Sequence, residues 1–229
     1  AGVVSARRHR VVTSRAAENL FWLGRYTERA ENSARLARLA LETLTGEEQD
    51  SPALLAWISA LVAGHGLVPA GVPPATQSRR VFERSLVAAL ADTRHATSVG
   101  FNLGALRQAA SAVRERLSLE QWNLIVRAEK EFLRGCGRAT AGGDYVPVEA
   151  VRVLEQLSGY LAAMTGAQTD RMTRDDGWRL LTVGRLTERL IAMSTTLRAF
   201  FARGAVQTTH GFDLLLGLFD STITYRARH

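Results

Sequence analysis

The chain has 229 residues, 46% hydrophobic and 22% charged, the balance of an ordinary soluble globular protein with material for one large domain or two small ones. Its lone cysteine, Cys136, excludes an internal disulfide framework and a zinc cluster and fits a reducing, cytoplasmic compartment. A net charge of +7 and a pI of about 10.6 would suit phosphate binding, but Lys130 is the only lysine, the arginines are spread among glutamates, and no nucleic-acid-reading motif occurs, which argues against nucleic acid as a partner.

Residues 1–13 read as a linker or fusion junction. They hold basic residues with no apolar core or cleavage pattern behind them, so they are not a signal peptide, and no initiator Met precedes them. The spacing predicts a first long helix from Ser14 to Leu44. Ala16, Leu20, Leu23, Thr27, Ala30, Ala34, Ala37, Leu41 and Leu44 alternate by four and three, the stripe of a bundle helix whose small residues admit a close partner. Gly46 and the polar GEEQD stretch stop it. A second helix is expected from Pro52 to Ala63, capped by Ser51 with Pro52 at its first position. The apolar run Ala53 to Gly64 within it falls short of the ~20 residues that span a bilayer, so no membrane is expected.

His65 to Gln77 carries three of the five prolines and reads as a loop. Helices follow at about Ser78 to Leu90, Asn102 to Leu117, and Leu119 to Arg134, the last opened by a Ser118–Gln121 capping box. Gly135 to Pro147 reads as a glycine-rich connection, with Cys136 in a loop. Pro147 opens a helix to about Thr165. A second long helix over about 174–201 is capped by Thr173, has Asp175 and Asp176 in its first turn, and carries Leu180, Val183, Thr187, Leu190, Ser194 and Leu197 as its stripe. A final helix spans about Phe212 to Tyr225. The fold class is all-α: one domain from residue 14 to 229, a bundle of about seven helices.

The two long helices share a sequence. Gly24-Arg25-Tyr26-Thr27-Glu28-Arg29 returns as Gly184-Arg185-Leu186-Thr187-Glu188-Arg189, and Leu20 matches Leu180 at the same offset of 160 residues. Glycine costs about 1 kcal/mol inside a helix, so its presence at one place twice points to close backbone approach. The two helices are expected to pack with Gly24 and Gly184 at their nearest point. Arg25, Glu28, Arg29, Arg185, Glu188 and Arg189 are expected to be buried in cross-helix ion pairs.

On the first helix Glu18, Trp22, Arg25, Arg29 and Asn32 share a stripe, with Glu28, Glu31 and Arg35 on the other side of the core face. The second long helix and its approach bring Arg171, Arg174, Asp175, Trp178, Arg185, Glu188 and Arg189. Arginine offers a forked donor to carboxylate or phosphate, so these charges suit ligand binding. The same residues also suit a buried Arg–Glu network that fixes helix register. None of His9, His65, His95, His210 and His229 stands at ligand spacing on a helix, so no metal is expected.

With these residues in view, the chain resembles the bacterial alpha-E family. The likeness is carried by the unbroken stretch from Ser14 to Asn32 (SRAAENLFWLGRYTERAEN), by Val113 to Trp122 (VRERLSLEQW), by Arg171 to Trp178 (RMTRDDGW) continuing through Arg189, and by Asp220 to Arg226 (DSTITYR). The stretch from Thr45 to Phe101 matches weakly. The resemblance implies a helical domain that usually runs on past the last motif, so one or more further C-terminal helices are expected beyond it. It also implies a circularly permuted ATP-grasp partner, fused or separate, in ATP-dependent amide or peptide bond formation. ATP and Mg would belong to that partner, with no cofactor in this chain. An amino-acid or peptide substrate would lie in the Arg/Glu-lined cleft, with Arg25, Arg29, Arg185 and Arg189 clamping carboxylates and Tyr225 and Arg226 among the binding residues. Glu28 or Glu188 would act as general base toward the incoming amine. The alternative is a non-catalytic scaffold docked on the ATP-grasp partner.

Overall fold

A 32-residue helix, α1 (Ser14–Thr45), is the post around which the other elements are arranged. It begins where Thr13 caps it, the side-chain oxygen accepting from the Ala16 N–H at 3.3 Å, and it ends where the Gly46 N–H returns to the Glu42 carbonyl. The apolar stripe is buried from Leu20 to Leu44, as its spacing requires. The computed structural model describes residues 12–46, 51–141, 144–205 and 208–228; most of the junction segment and of the GEEQD stop lies outside them.

After α1 come α2 (Pro52–Gly64), α3 (Ala75–Ala89), α4 (Val99–Ala112), a 3-10 turn (Arg114–Arg116), α5 (Leu119–Ala139), α6 (Pro147–Asp170), α7 (Asp176–Ala202), α8 (Thr209–Leu218) and α9 (Thr222–Arg226). The described residues form nine α-helices and no strand, an all-α bundle. α1 packs most extensively against α7, then against α4 and α6, and α5 lies against both α4 and α6. No described helix is long and apolar enough to cross a membrane.

Several boundaries differ from the sequence expectation, each for a local reason. α4 starts at Val99 because Ser98 caps it, accepting from the Phe101 N–H at 3.1 Å. It stops at Ala112, and the stretch toward Leu117 is a 3-10 turn. α5 does not end at Arg134 but continues to Ala139, so Cys136 is a buried helix residue and not a loop thiol. The glycine beside it serves packing: a Cβ on Gly135 would lie 2.5 Å from a methyl of Val153 on α6. Asp175, not Thr173, caps α7 by accepting from the Trp178 N–H at 3.0 Å. The expected last helix breaks at Asp220, which takes φ 53. There the N–H of Ser221 reaches Leu216 O and that of Asp220 reaches Gly217 O, a Schellman closure with Asp in the left-handed position.

The largest difference is the rotation of α7. Its buried residues are Gly177, Leu181, Gly184, Glu188, Thr196 and Phe200, while Val183 and Leu190 of the expected core stripe face solvent. The glycines and Glu188 turn toward α1, which carries the apolar stripe outward.

Candidate functional site

The two copies of the repeat meet each other. A Cβ on Gly24 would stand 2.1 Å from the Leu181 carbonyl oxygen, and one on Gly184 would stand 2.1 Å from the Phe21 carbonyl oxygen. Phe21 and Leu181 are themselves equivalent at the 160-residue offset, so each contact is the other's mirror under an approximate two-fold axis. Leu20 touches Gly177, Gly24 touches Leu181, and Glu28 pairs with Arg189, so the partner's number rises along both helices and they run in the same direction.

The charges obey the same symmetry. Glu188 accepts from Arg25 Nε at 2.6 Å and from Arg29 Nε and Nη2 at 2.9 Å each. Glu28 accepts from Arg189 Nε at 2.7 Å and Nη2 at 3.1 Å, with Arg185 more loosely placed at 3.5 Å. Glu28 is 2% exposed and Glu188 7%. Burial would raise the Glu188 carboxyl, but hydrogen bonds from Arg29 and Arg25 outweigh it and hold it below the ordinary glutamate value. The Glu28 bond raises the Arg189 guanidinium in turn. Both carboxylates are turned toward guanidinium donors, an arrangement that fixes the register of two parallel helices.

An open cleft lies elsewhere among the described residues. A cleft of about 1030 Å³ runs between α1 and α4, closed at one side by Glu129 of α5. From α1 it receives Arg15, Glu18, Asn19, Trp22 and Tyr26; from α4 it receives Phe101, Gln108 and Arg107, the last paired with Glu129. Trp22 stacks on Tyr26 with ring centres 5.3 Å apart, and the Arg25 guanidinium lies 5.3 Å over the Trp22 ring, linking cleft to quartet. Arg15 and Glu18 are exposed, one turn apart, and neither joins an ion pair among the described residues.

Of the residues singled out by sequence, Glu18 and Trp22 therefore line the cleft, while Arg25, Glu28, Arg29, Arg185, Glu188 and Arg189 form the quartet of pairs beside it. The two repeat copies converge, as expected, and the charges they bring together pair with one another across the helices. Arg171, Arg174, Asp175 and Trp178 gather at a separate corner. There Asp175 pairs with Arg116 at 2.9 Å, Arg171 with Glu120 at 2.8 Å, Arg174 lies over Trp178, and the Trp178 indole donates to Gln168 O. Glu31 is held by Arg35 at 2.9 Å. Asn32 lines a small pocket with His65 and Thr196, where burial lowers the His65 imidazole. Tyr225 meets Phe212 edge-on near the chain's end, and Arg226 closes the short α9. Among the described residues no group of three His, Cys, Asp or Glu is placed to hold a metal.

Sequence reasoning misses Arg15, Tyr26, Phe101 and Gln108 as cleft residues. Arg15, Glu18, Trp22 and Tyr26 do sit at three- and four-residue spacing, one face of α1, and that is the available signal. The α4 half has none, because nothing local marks which helix lies across from them.

The model of the Alpha-E family, described as a predicted alpha-helical domain with a conserved ER motif, matches residues 12–229, and the chain belongs to this family. Of the Glu-Arg dipeptides at 28–29, 83–84, 115–116 and 188–189, those at 28–29 and 188–189 make the reciprocal pairs. Uncharacterized proteins of Mycobacterium tuberculosis and Mycobacterium bovis are each 26% identical over 237 residues, an alignment covering 95% of this chain. The chain spans 26% of the length of these curated relatives. No solved structure matches it significantly.

Proposed function

We propose that this Alpha-E domain holds the amino-acid or peptide substrate of an ATP-dependent amide bond-forming system, with the ATP, the Mg and the phosphoryl chemistry belonging to a circularly permuted ATP-grasp partner. The observation that carries the reading is the α1–α4 cleft with its uncommitted Arg15 and Glu18 beside the Trp22–Tyr26 stack. An amino acid presents a carboxylate and an ammonium a few ångströms apart. A forked guanidinium suits the first, a carboxylate one helical turn away suits the second, and the aromatic wall suits a side chain. An acyl phosphate made by the partner is prone to hydrolysis, so a walled cleft for the incoming amine has a purpose.

In this reading Glu28 and Glu188 position the cleft and do not take the proton from the amine. Their oxygens already accept from guanidinium groups, and a general base must be free to reach the proton it abstracts. The quartet fixes α1, and Arg25 transmits that fixity to Trp22. The second reading, a scaffold without a substrate site, is favoured by one fact: the repeat charges are spent on one another.

Calorimetric titration of the chain with free amino acids and dipeptides separates the two. Binding that weakens about tenfold in Arg15→Ala and in Glu18→Ala, the loss of roughly one charge-assisted hydrogen bond, supports the cleft. Absence of heat and of thermal stabilisation with every amino acid and dipeptide would leave the scaffold.

A further inference from the structure

The repeat relating α1 to α7 extends beyond glycines and charges. Moving the α1 stripe Leu20, Leu23, Thr27, Ala30, Ala34, Ala37 and Leu41 by 160 positions gives Leu180, Val183, Thr187, Leu190, Ser194, Leu197 and Phe201. On α1 all seven are wholly buried. That stripe lies between the residues that meet α7 (Phe21, Gly24, Glu28) and those that face the α4 cleft (Asn19, Trp22, Tyr26), and Thr27 within it takes a hydrogen bond from Gln168 of α6. On α7 much of the equivalent face is open: Val183 is 52% exposed, Leu190 66% and Phe201 64%, with Leu186 and Ile191 widening the patch.

One helix of the pair thus has its stripe covered by α4 and α6, while its pseudo-symmetric twin packs Leu180 and Leu197 against the core and leaves Val183, Leu190 and Phe201 in water. Contiguous apolar surface of this kind marks an interaction site, and a helical stripe at three- and four-residue spacing is read by helices. The border of the patch is basic. Arg198 is exposed and has no ion-pair partner among the described residues, whereas Arg189 at the edge, half exposed, is taken by Glu28 and Asp176 at the head of the helix by Arg179. A second copy docking by this face would bring the same basic border, whereas acidic side chains would complement it.

We propose that the outer face of α7 docks a pair of amphipathic helices from outside these 229 residues, seated on α7 as α4 and α6 are seated on α1 and bordered by glutamates or aspartates. This surface is distinct from the cleft, so the two readings stand or fall separately.

The test uses the full chain and a synthetic helical hairpin whose two helices carry a leucine stripe bordered by glutamates, together with its lysine-bordered twin. Fluorescence anisotropy is expected to give at least tenfold tighter binding for the glutamate form, lost at least tenfold in Leu186→Glu and Leu190→Glu. Because both positions are exposed, these variants should melt like the parent, and Arg152→Glu on α6 should bind like the parent. Equal binding of the two hairpins, or binding indifferent to the α7 substitutions, overturns the proposal. So does light scattering that shows a dimer dissolved by Leu190→Glu, which would make the occupant a second copy. Binding to vesicles of phosphatidylcholine and phosphatidylglycerol without binding to the hairpin would make the occupant a lipid surface and would equally overturn the proposal.

Discussion

Four arginines and two glutamates decide how α1 and α7 meet, and the consequence is measurable residue by residue. Glu188 is the acceptor of three charge-assisted bonds, so Glu188→Gln keeps its shape but leaves Arg25 and Arg29 without a counter-charge. Breaking one partner of a buried pair costs about 3–5 kcal/mol, and the solvent still reached by Arg29 places the expected loss at about 3 kcal/mol. For a chain of this size that is a fall in Tm of roughly 6–12 °C, to be read by calorimetry. Glu28→Gln should behave alike through Arg189; an unchanged Tm in both would remove the network from the stability of the fold. The pH dependence has a definite sign. The folded Glu188 carboxyl lies below its ordinary value of 4.5, so the unfolded chain takes up its proton first. The contribution is whole above about pH 4.5 and is lost as pH falls through the folded value. Glu188→Gln should therefore lose less Tm than the parent between pH 5 and pH 3, and parallel curves would refute the assignment. These pairs are legible in sequence because helical spacing brings an Arg-x-x-Glu-Arg run to one face. That their partners are each other, and not a ligand, depends on which helix lies opposite, and one face cannot reveal that.

The helices themselves separate what local sequence determines from what packing determines. Caps such as Ser51, Ser118 with Gln121, and Pro147 at a first turn are chemistry within four residues, and the sequence alone places them. It does not place the extension of α5 past Gly135 or the rotation of α7, since a glycine that ends a helix and one that admits a neighbour look alike in sequence. Substitution distinguishes them. Gly24→Ala or Gly184→Ala would place a methyl 2.1 Å from a backbone carbonyl oxygen that cannot swing aside, so the helices must part. Overpacking of this kind costs about 1–3 kcal/mol or more, against a gain of about 1 kcal/mol in helix propensity. Gly159 and Gly166 on α6 have nothing within 4 Å of the added atom, and Gly159→Ala or Gly166→Ala should instead stabilise by about 0.8–1.0 kcal/mol. Urea unfolding of the four variants is the measurement. Equal effects at all four sites would mean that the approach of α1 and α7 does not depend on missing Cβ atoms.

At the scale of the whole molecule the question is whether the α1–α7 pair and the α4–α5–α6 layer unfold as one body. The sequence shows no composition break between them after residue 14, and the core runs continuously from Leu20 through Phe132 to Phe200. Continuity of apolar contact is what makes a domain unfold all or none. Cys136 reports on this from the far layer. It is 3% exposed on α5, and burial pushes its thiol up to about 12, so the native thiol is neither reachable nor ionised at pH 8. Reaction with a thiol reagent must then wait for opening, and where reclosing is fast its rate follows the population of the open form. Gly24→Ala touches nothing near Cys136; it acts on α1 and α7. In a single cooperative unit its stability loss must nevertheless appear at the thiol, about tenfold faster labelling for each 1.4 kcal/mol lost. The same variant should show matching losses by urea unfolding and by labelling. Labelling of Cys136 at the parent rate in a clearly destabilised Gly24→Ala protein would show that the α4–α5–α6 layer holds while the α1–α7 pair comes apart, and the bundle would then be two units and not one.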